Sequence, residues 1–426
     1  MLGKIFIQNW KNQFKIKWIW IAVLIGLLSG SASAFFLLLL EWAKKTREAN
    51  HWLLFLLPVG GFFVAVGYKY WGKSIERGNN LIVEEIQKPS KVISFLMAPL
   101  VLIGTVTTHV FGGSAGREGT AIQMGASIAD QLNFLTKFSN EDRKILLMCG
   151  MAAGFSSLFG TPLAGAAFAL EIIFIGKFLF SGLLPVLLSS FFAFYVCDFW
   201  PVEHTRYTIG DLPELNIINI GWIFLASIVF GTVSRIFSTA MFWFTNKFKK
   251  YISSVLIRPL VGGTIVSMLI YLFGFKYAGL GLDTIVDSFF IQQGWEVFVL
   301  KLVLTVITLS AGFRGGEVTP LFFIGASLGS ALSLFIPLPI GLLAGVGFVA
   351  VFSGATNSPI ACALMGLELF MRTDFDSALT VFILIGCFVS YYISGHTGIY
   401  SSQIIARPKY NLFKKRKGKM LSELMK

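Results

Sequence analysis

The sequence predicts an all-α integral membrane protein built from a duplicated set of tilted and broken helices, and three observations carry that prediction. Hydrophobic residues make up 55% of the 426 and charged residues only 13%, with a mean hydropathy of +0.74. A soluble domain of this size needs far more charged surface. Apolar stretches recur along the whole chain, several approaching the about 20 residues that span a bilayer and others shorter or broken by Gly and Pro. Two halves of the chain also carry matching motifs, the mark of an internal repeat.

Taken in order, the chain opens with Lys4, Lys11, Lys15 and Lys17 ahead of the first apolar stretch, 18–40. Residues 1–17 are expected to lie on the inner membrane surface as an amphipathic segment, and no cleaved signal peptide is expected. Apolar stretches follow at 53–70, 92–110, 145–159, 182–195 and 220–242, then at 259–273, 297–311, 338–351 and 378–393. The shorter ones read as tilted or partial helices, the means by which transporters build sites at the midplane. After the last stretch come Lys409, Lys414, Lys415, Arg416, Lys417 and Lys419. Basic flanks read as cytoplasmic ends, so both termini are expected inside, with an even number of crossings. The membrane domain is expected at 18–407, with halves of about 18–250 and 251–407, and a basic cytoplasmic tail at 408–426. The side of the run Lys247, Lys249, Lys250 and Arg258 does not follow from counting spans. The net charge of +13 thus belongs to membrane flanks rather than to a nucleic-acid surface.

The halves echo each other in detail. Ser114-Ala115-Gly116-Arg117, followed by Gly125-Ala126-Ser127, matches Ser310-Ala311-Gly312-Phe313-Arg314, followed by Gly325-Ala326-Ser327. Phe155-Ser156 through Pro162, Ala164, Ala166 and Glu171 matches Phe352-Ser353 through Pro359, Ala361, Ala363 and Glu368, at a constant offset of 197 residues. Recurrent small residues suit close helix packing in lipid. Periodicity alone leaves the relative orientation of the halves open.

Cys149, Cys197, Cys362 and Cys387 are scattered through apolar stretches and read as small buried hydrophobes. His51, His109, His204 and His396 form no ligand spacing, so neither a metal nor another cofactor is expected. An intramembrane enzyme would need a nucleophile and base, or metal ligands, converging at depth, and no such set is present.

The informative segment is Ser114 to Thr120, SAGREGT, which puts Arg117 and Glu118 at bilayer depth among Gly113, Gly116 and Gly119. Ionisable residues there are costly and mark function. Interrupted backbone at that depth lines a cavity or is buried in protein. Four loops offer glycine-flanked backbone ahead of an apolar run: Gly78-Asn79-Asn80-Leu81-Ile82, Gly116-Arg117-Glu118-Gly119-Thr120, Gly315-Gly316-Glu317-Val318-Thr319-Pro320 and Gly398-Ile399-Tyr400-Ser401. Unpaired N–H groups and the positive helix end can face an anion at each, and Tyr400 adds a hydroxyl.

On these motifs the chain, from about residue 18 to 407, resembles the CLC family of anion channels and proton-coupled antiporters. The resemblance implies a CLC-type fold of inverted repeats and a homodimer with one pathway per subunit. It makes Glu118 the external gating and proton-transfer carboxylate. Asn79, Asn80, Gly116, Arg117, Gly119, Val318, Thr319 and Tyr400 become anion-binding positions. Three departures separate this chain from chloride carriers: Asn79 and Asn80 stand where those have Ser and Gly, Glu317 and Thr319 stand in an otherwise apolar third loop, and Ile172 replaces the internal proton-transfer glutamate. Together these resemble the fluoride-exporting bacterial branch, which implies fluoride/proton antiport in the bacterial inner membrane, with Glu317 as a second proton-transfer group. Fluoride is small and strongly hydrated, so its extraction from water needs compensating donors. Asn amides supply them, and a protonated Glu317 donates where an ionised one repels. The alternative on the same fold is a chloride/proton exchanger or a passive anion channel.

Each residue also has a plainer reading. Glu118 and Arg117, or Glu317 and Arg314, are candidate intramembrane ion pairs. Asn79 and Asn80 suit turn geometry, and Tyr400 suits an interfacial belt. Glu171 and Glu368, at repeat-equivalent positions, are expected to be structural.

Overall fold

The structure is a computed structural model and describes residues 16–134, 138–371 and 376–425. The amphipathic segment expected at 1–17, with Lys4, Lys11 and Lys15, lies almost wholly outside the described residues; Lys17 is in the first helix.

Among the described residues, two series of eight helices follow one another. The first is α1 (Ile16–Ala49), α2 (Leu57–Trp71), α3 (Asn79–Gln87), α4 (Met97–Val110), α5 (Glu118–Gln131), α6 (Asn140–Phe159), α7 (Pro162–Glu171) and α8 (Leu183–Asp198). The second is α9 (Ile217–Tyr251), α10 (Ile257–Phe273), α11 (Leu282–Asp287), α12 (Trp295–Ser310), α13 (Val318–Leu332), α14 (Ile340–Thr356), α15 (Pro359–Phe370) and α16 (Ser377–Ile393). A short α17 (Leu421–Leu424) closes the chain, and Phe174–Ile175 pairs in parallel with Ile404–Ile405. The stretches Ile16–Ala49, His51–Trp71 and Ile217–Tyr251 are long and apolar enough to cross a membrane, whereas the other apolar helices run 10–17 residues.

Helix lengths repeat in order, with α1 and α9 at 34 and 35 residues and α8 and α16 at 16 and 17. We read α9 as the first helix of the second copy. That places the division near residue 217 rather than near 250, because the basic end of α9 mimics a boundary in the sequence. The caps repeat as well. Helix α6 ends on Gly160 and α14 on Asn357, both left-handed, and a Pro opens the next helix two residues later in each copy.

The copies meet head to tail. Glu171, at the end of α7, accepts the N–H groups of Ile360 (3.2 Å) and Ala361 (2.8 Å) at the start of α15. Glu368, near the end of α15, accepts those of Leu163 (2.8 Å) and Ala164 (2.7 Å) at the start of α7. Each carboxylate meets the positive end of the other copy's helix and satisfies donors that the first turn leaves free. Helices α7 and α15 therefore run antiparallel, and the orientation that periodicity left open is inverted. Phe155 and its repeat partner Phe352 stack at 6.4 Å and 12° between the copies, with Phe168 stacked on both. Close contacts between helices repeat too: a Cβ on Gly125 would strike the carbonyl of Gly150, and one on Gly325 that of Gly347.

Candidate functional site

Helices α5 and α13 start side by side because the loops ahead of them pair. Gly116 N–H donates to Gly316 O (2.6 Å) and Gly316 N–H to Gly116 O (2.8 Å), an antiparallel bridge between the two copies. A Cβ on Gly116 would stand 2.5 Å from Glu118 Oε2, and one on Gly316 would stand 2.8 Å from the Gly119 nitrogen. Glycine at both positions is what lets the loops approach. The bridge also corrects the motif alignment: Gly116 pairs with Gly316, so Arg117 and Glu317 occupy the equivalent N-cap positions of α5 and α13.

Glu118 opens α5 and is fully buried. Its Oε2 accepts the N–H of Arg117 (3.0 Å) and that of Thr319 (3.1 Å), and its Oε1 accepts the Thr319 hydroxyl. The carboxylate thus lies across two helix N-termini and takes the donors that an anion would use there. Val318, which opens α13, and Thr319 are both buried.

Both candidate ion pairs fail to form. Neither Arg117 with Glu118 nor Arg314 with Glu317 is within salt-bridge distance among the described residues. Arg117 gives its backbone N–H to the carboxylate, while its buried Nε has no partner. Arg314 instead lies 3.6 Å over the Tyr68 ring and donates to the carbonyl of Glu76 (3.2 Å).

A cavity of about 590 Å³ approaches these loops from the side of the tail, and Glu317, Asn79, Asn80 and Tyr400 all line it. Lys249 and Met425 line it as well, so the basic end of α9 shares a side with the tail. The Asn79 amide Nδ2 abuts Gly119, and its Oδ1 is buried without a partner. The Tyr400 hydroxyl is also buried and unpartnered, with Phe168 edge-on to its ring at 6.3 Å. Asn80 is committed differently: its Oδ1 accepts from Ser402 N–H (3.0 Å) and the Ser401 hydroxyl (3.4 Å), tying α3 to the loop that carries Tyr400. Buried polar groups are ordinarily paired, so the orphaned atoms of Asn79 and Tyr400 on the wall of this cavity mark a place built for a polar ligand.

A smaller cavity of about 340 Å³, lined by Lys44, Arg47, His109 and Asp283, shares no lining residue with the first. It reaches the same loop through His109, whose Nε2 lies 3.3 Å from Gly116 O. Ile172 is buried, and its carbonyl accepts from Gln403 Nε2 (2.8 Å), which leaves no ionisable side chain at that position. Sequence reasoning missed Gln123, which lines the larger cavity beside Gly78. A lone amide in the apolar run after GREGT was the available signal.

Comparison with known proteins decides the family. The description voltage gated chloride channel matches residues 60–395. The chain belongs to this family, the CLC family. A chloride/fluoride channel protein of Pseudomonas syringae pv. tomato is 44% identical over 402 residues, 93% of this chain and 88% of that one. Among solved CLC structures, a CLC-type fluoride/proton antiporter superposes with a TM-score of 0.86 at 36% identity, covering 91% of this chain and 97% of the other. A slow cyanobacterial Cl−/H+ antiporter superposes at 0.77 with 20% identity over 97% and 98% of the two chains, a likeness that speaks for the fold alone. The predicted all-α, CLC-type membrane architecture holds, and the chain is a multi-pass membrane protein.

Proposed function

We propose that this CLC protein is a secondary antiporter that exports fluoride from the cytoplasm in exchange for protons. The observation that carries the reading is the position of Glu118, whose carboxylate takes the N–H of Arg117 and both donors of Thr319. An anion at the crossing of α5 and α13 needs those same donors, so carboxylate and anion exclude one another. Protonation weakens the carboxyl as an acceptor, frees the donors for fluoride, and loads the proton that leaves in the opposite direction. One group thereby links the two movements.

Fluoride rather than chloride is supported by the donors that Asn79, Tyr400 and a protonated Glu317 bring to the larger cavity, and by Thr319 at the start of α13, which together suit a strongly hydrated ion. It is supported also by the likeness to a protein named for fluoride/proton antiport. Glu317 caps α13 on the cavity side and carries the second proton-transfer role; Ile172 argues against the inner route of chloride/proton exchangers. Asn79, Gly116, Arg117, Gly119, Val318, Thr319 and Tyr400 form the anion path, while Asn80 holds the Tyr400 loop in place. All of these come from one chain, so each subunit of the proposed homodimer holds a complete pathway. Both termini face the cytoplasm of a bacterial inner membrane, in line with their basic flanks.

Purified protein in liposomes, loaded with fluoride or chloride and monitored for halide and proton movement together, tests the reading. The expected result is fluoride efflux coupled to proton uptake, with chloride moved far more slowly. Fast chloride flux with proton coupling would instead make it a chloride/proton exchanger.

A further inference from the structure

We propose that the cavity between the C-terminal half of α9 and the tail following α16 holds the phosphate headgroup of an anionic phospholipid. The cavity encloses about 550 Å³, the size of a small-ligand site. Arg235, Lys247, Lys250 and Arg416 line it, and no Asp or Glu does. None of the four forms an ion pair among the described residues. Two of them are held by aromatic rings instead, Arg416 at 4.1 Å over Phe413 and Lys247 at 5.0 Å over Trp243, which leaves their charge uncompensated.

His396, which also lines the cavity, is an independent pointer to the ligand. It is 5% exposed, and its Nε2 accepts the N–H of Lys409 at 3.1 Å. A ring nitrogen that accepts carries no proton, so the neutral imidazole is protonated on Nδ1. That Nδ1 is buried and unpartnered among the described residues. A buried donor of this kind calls for an oxygen acceptor. Four cations and one N–H donor, with no competing carboxylate, fit the oxygens of a phosphate.

The rim identifies the source as lipid. Trp243, on the wall, is half exposed, and Tyr251 and Leu412 nearby in sequence stand out at 71% and 88% exposure. The Trp243 and Tyr251 rings mark headgroup depth, and basic pockets between helices at that depth take anionic headgroups. Phe242, Asn246 and Met425 line both this cavity and the one that holds Glu317 and Tyr400. A bound headgroup therefore sits behind one wall of the inner cavity and braces the tail against α9.

Binding is measured without reference to transport. Purified protein in phosphatidylcholine nanodiscs, titrated with phosphatidylglycerol, is followed by thermal melting and by native mass spectrometry. Phosphatidylglycerol should raise the melting temperature of the wild type saturably and remain attached on release. The double variant Arg235→Gln/Arg416→Gln should need about tenfold more lipid or greater, since charged hydrogen bonds are lost. Lys250→Gln, at an exposed position, should weaken retention severalfold and serves if the double variant does not purify. Equal retention and equal stabilisation in wild type and variants would overturn the proposal. Equal stabilisation by inorganic phosphate alone, in pure phosphatidylcholine, would overturn the lipid assignment and make the site one for soluble phosphate.

Discussion

Glu118 and Thr319 come from opposite copies of the repeat, 201 residues apart, yet the backbone N–H and the hydroxyl of Thr319 both donate to the Glu118 carboxylate. The buried carboxylate that opens α5 in one copy is thus held by the first turn of α13 in the other. Thr319→Val keeps the N–H and removes the hydroxyl. A hydrogen bond to a charged group is worth about 1.5–3 kcal/mol, so the closed position should be weakened about tenfold or more. Liposome fluoride flux at neutral pH should show a raised component without accompanying proton movement. Unchanged coupling in Thr319→Val would mean that the hydroxyl does not hold the gate.

In the proposed antiporter, selectivity should rest on the donors that face the cavity lined by Asn79, Glu317 and Tyr400. Asn79→Ser should lose about tenfold or more of the preference for fluoride over chloride, because one donor to a desolvated ion is worth about 1.5–3 kcal/mol. Glu317→Ala should suppress fluoride transport more severely, since it removes a switchable donor together with a proton site. Paired fluoride and chloride fluxes on the two variants check this. Wild-type selectivity and rate in both would favour an ordinary chloride carrier.

The reciprocal carboxylates predict the opposite pattern. Glu171→Gln and Glu368→Gln each remove the charge that caps the other copy's helix, a loss of about 1–2 kcal/mol per helix end. Both variants should melt lower in detergent while keeping the ratio of fluoride to protons. Loss of proton coupling without loss of stability in Glu171→Gln would place that residue on the proton route.

Much of this was legible because membrane segments admit few ionisable residues: GREGT, GGEVTP and the constant offset from Phe155 to Glu368 stand out against an apolar background. What stayed hidden depends on where the copies meet in space. The Gly116–Gly316 bridge shifts the loop alignment, so that Arg117 is the counterpart of Glu317 rather than of Arg314. The two arginines looked like ion-pair partners because they are neighbours in sequence. The backbone at a helix start directs consecutive side chains apart, and Arg314 finds Tyr68 instead. Asn79 and Asn80 look alike in sequence, but only Asn80 lies within reach of Ser402.

Every loop of the site comes from one chain, so pathways in a dimer should be independent. Covalently linked dimers with one Glu118→Gln subunit should keep about half of the coupled flux, since separate pathways add. Complete loss in the mixed dimer would point to a shared pore.

In the proposed antiporter one carboxyl group, that of Glu118, exchanges with the anion and carries the proton. Simultaneous recording with a fluoride electrode and a pH electrode on liposomes containing Glu118→Gln tests it most directly. The amide takes up no proton and cannot alternate between charged and neutral forms, so fluoride movement should proceed without any coupled pH change, or stop. Fluoride-driven proton movement in Glu118→Gln at the wild-type ratio would contradict the account.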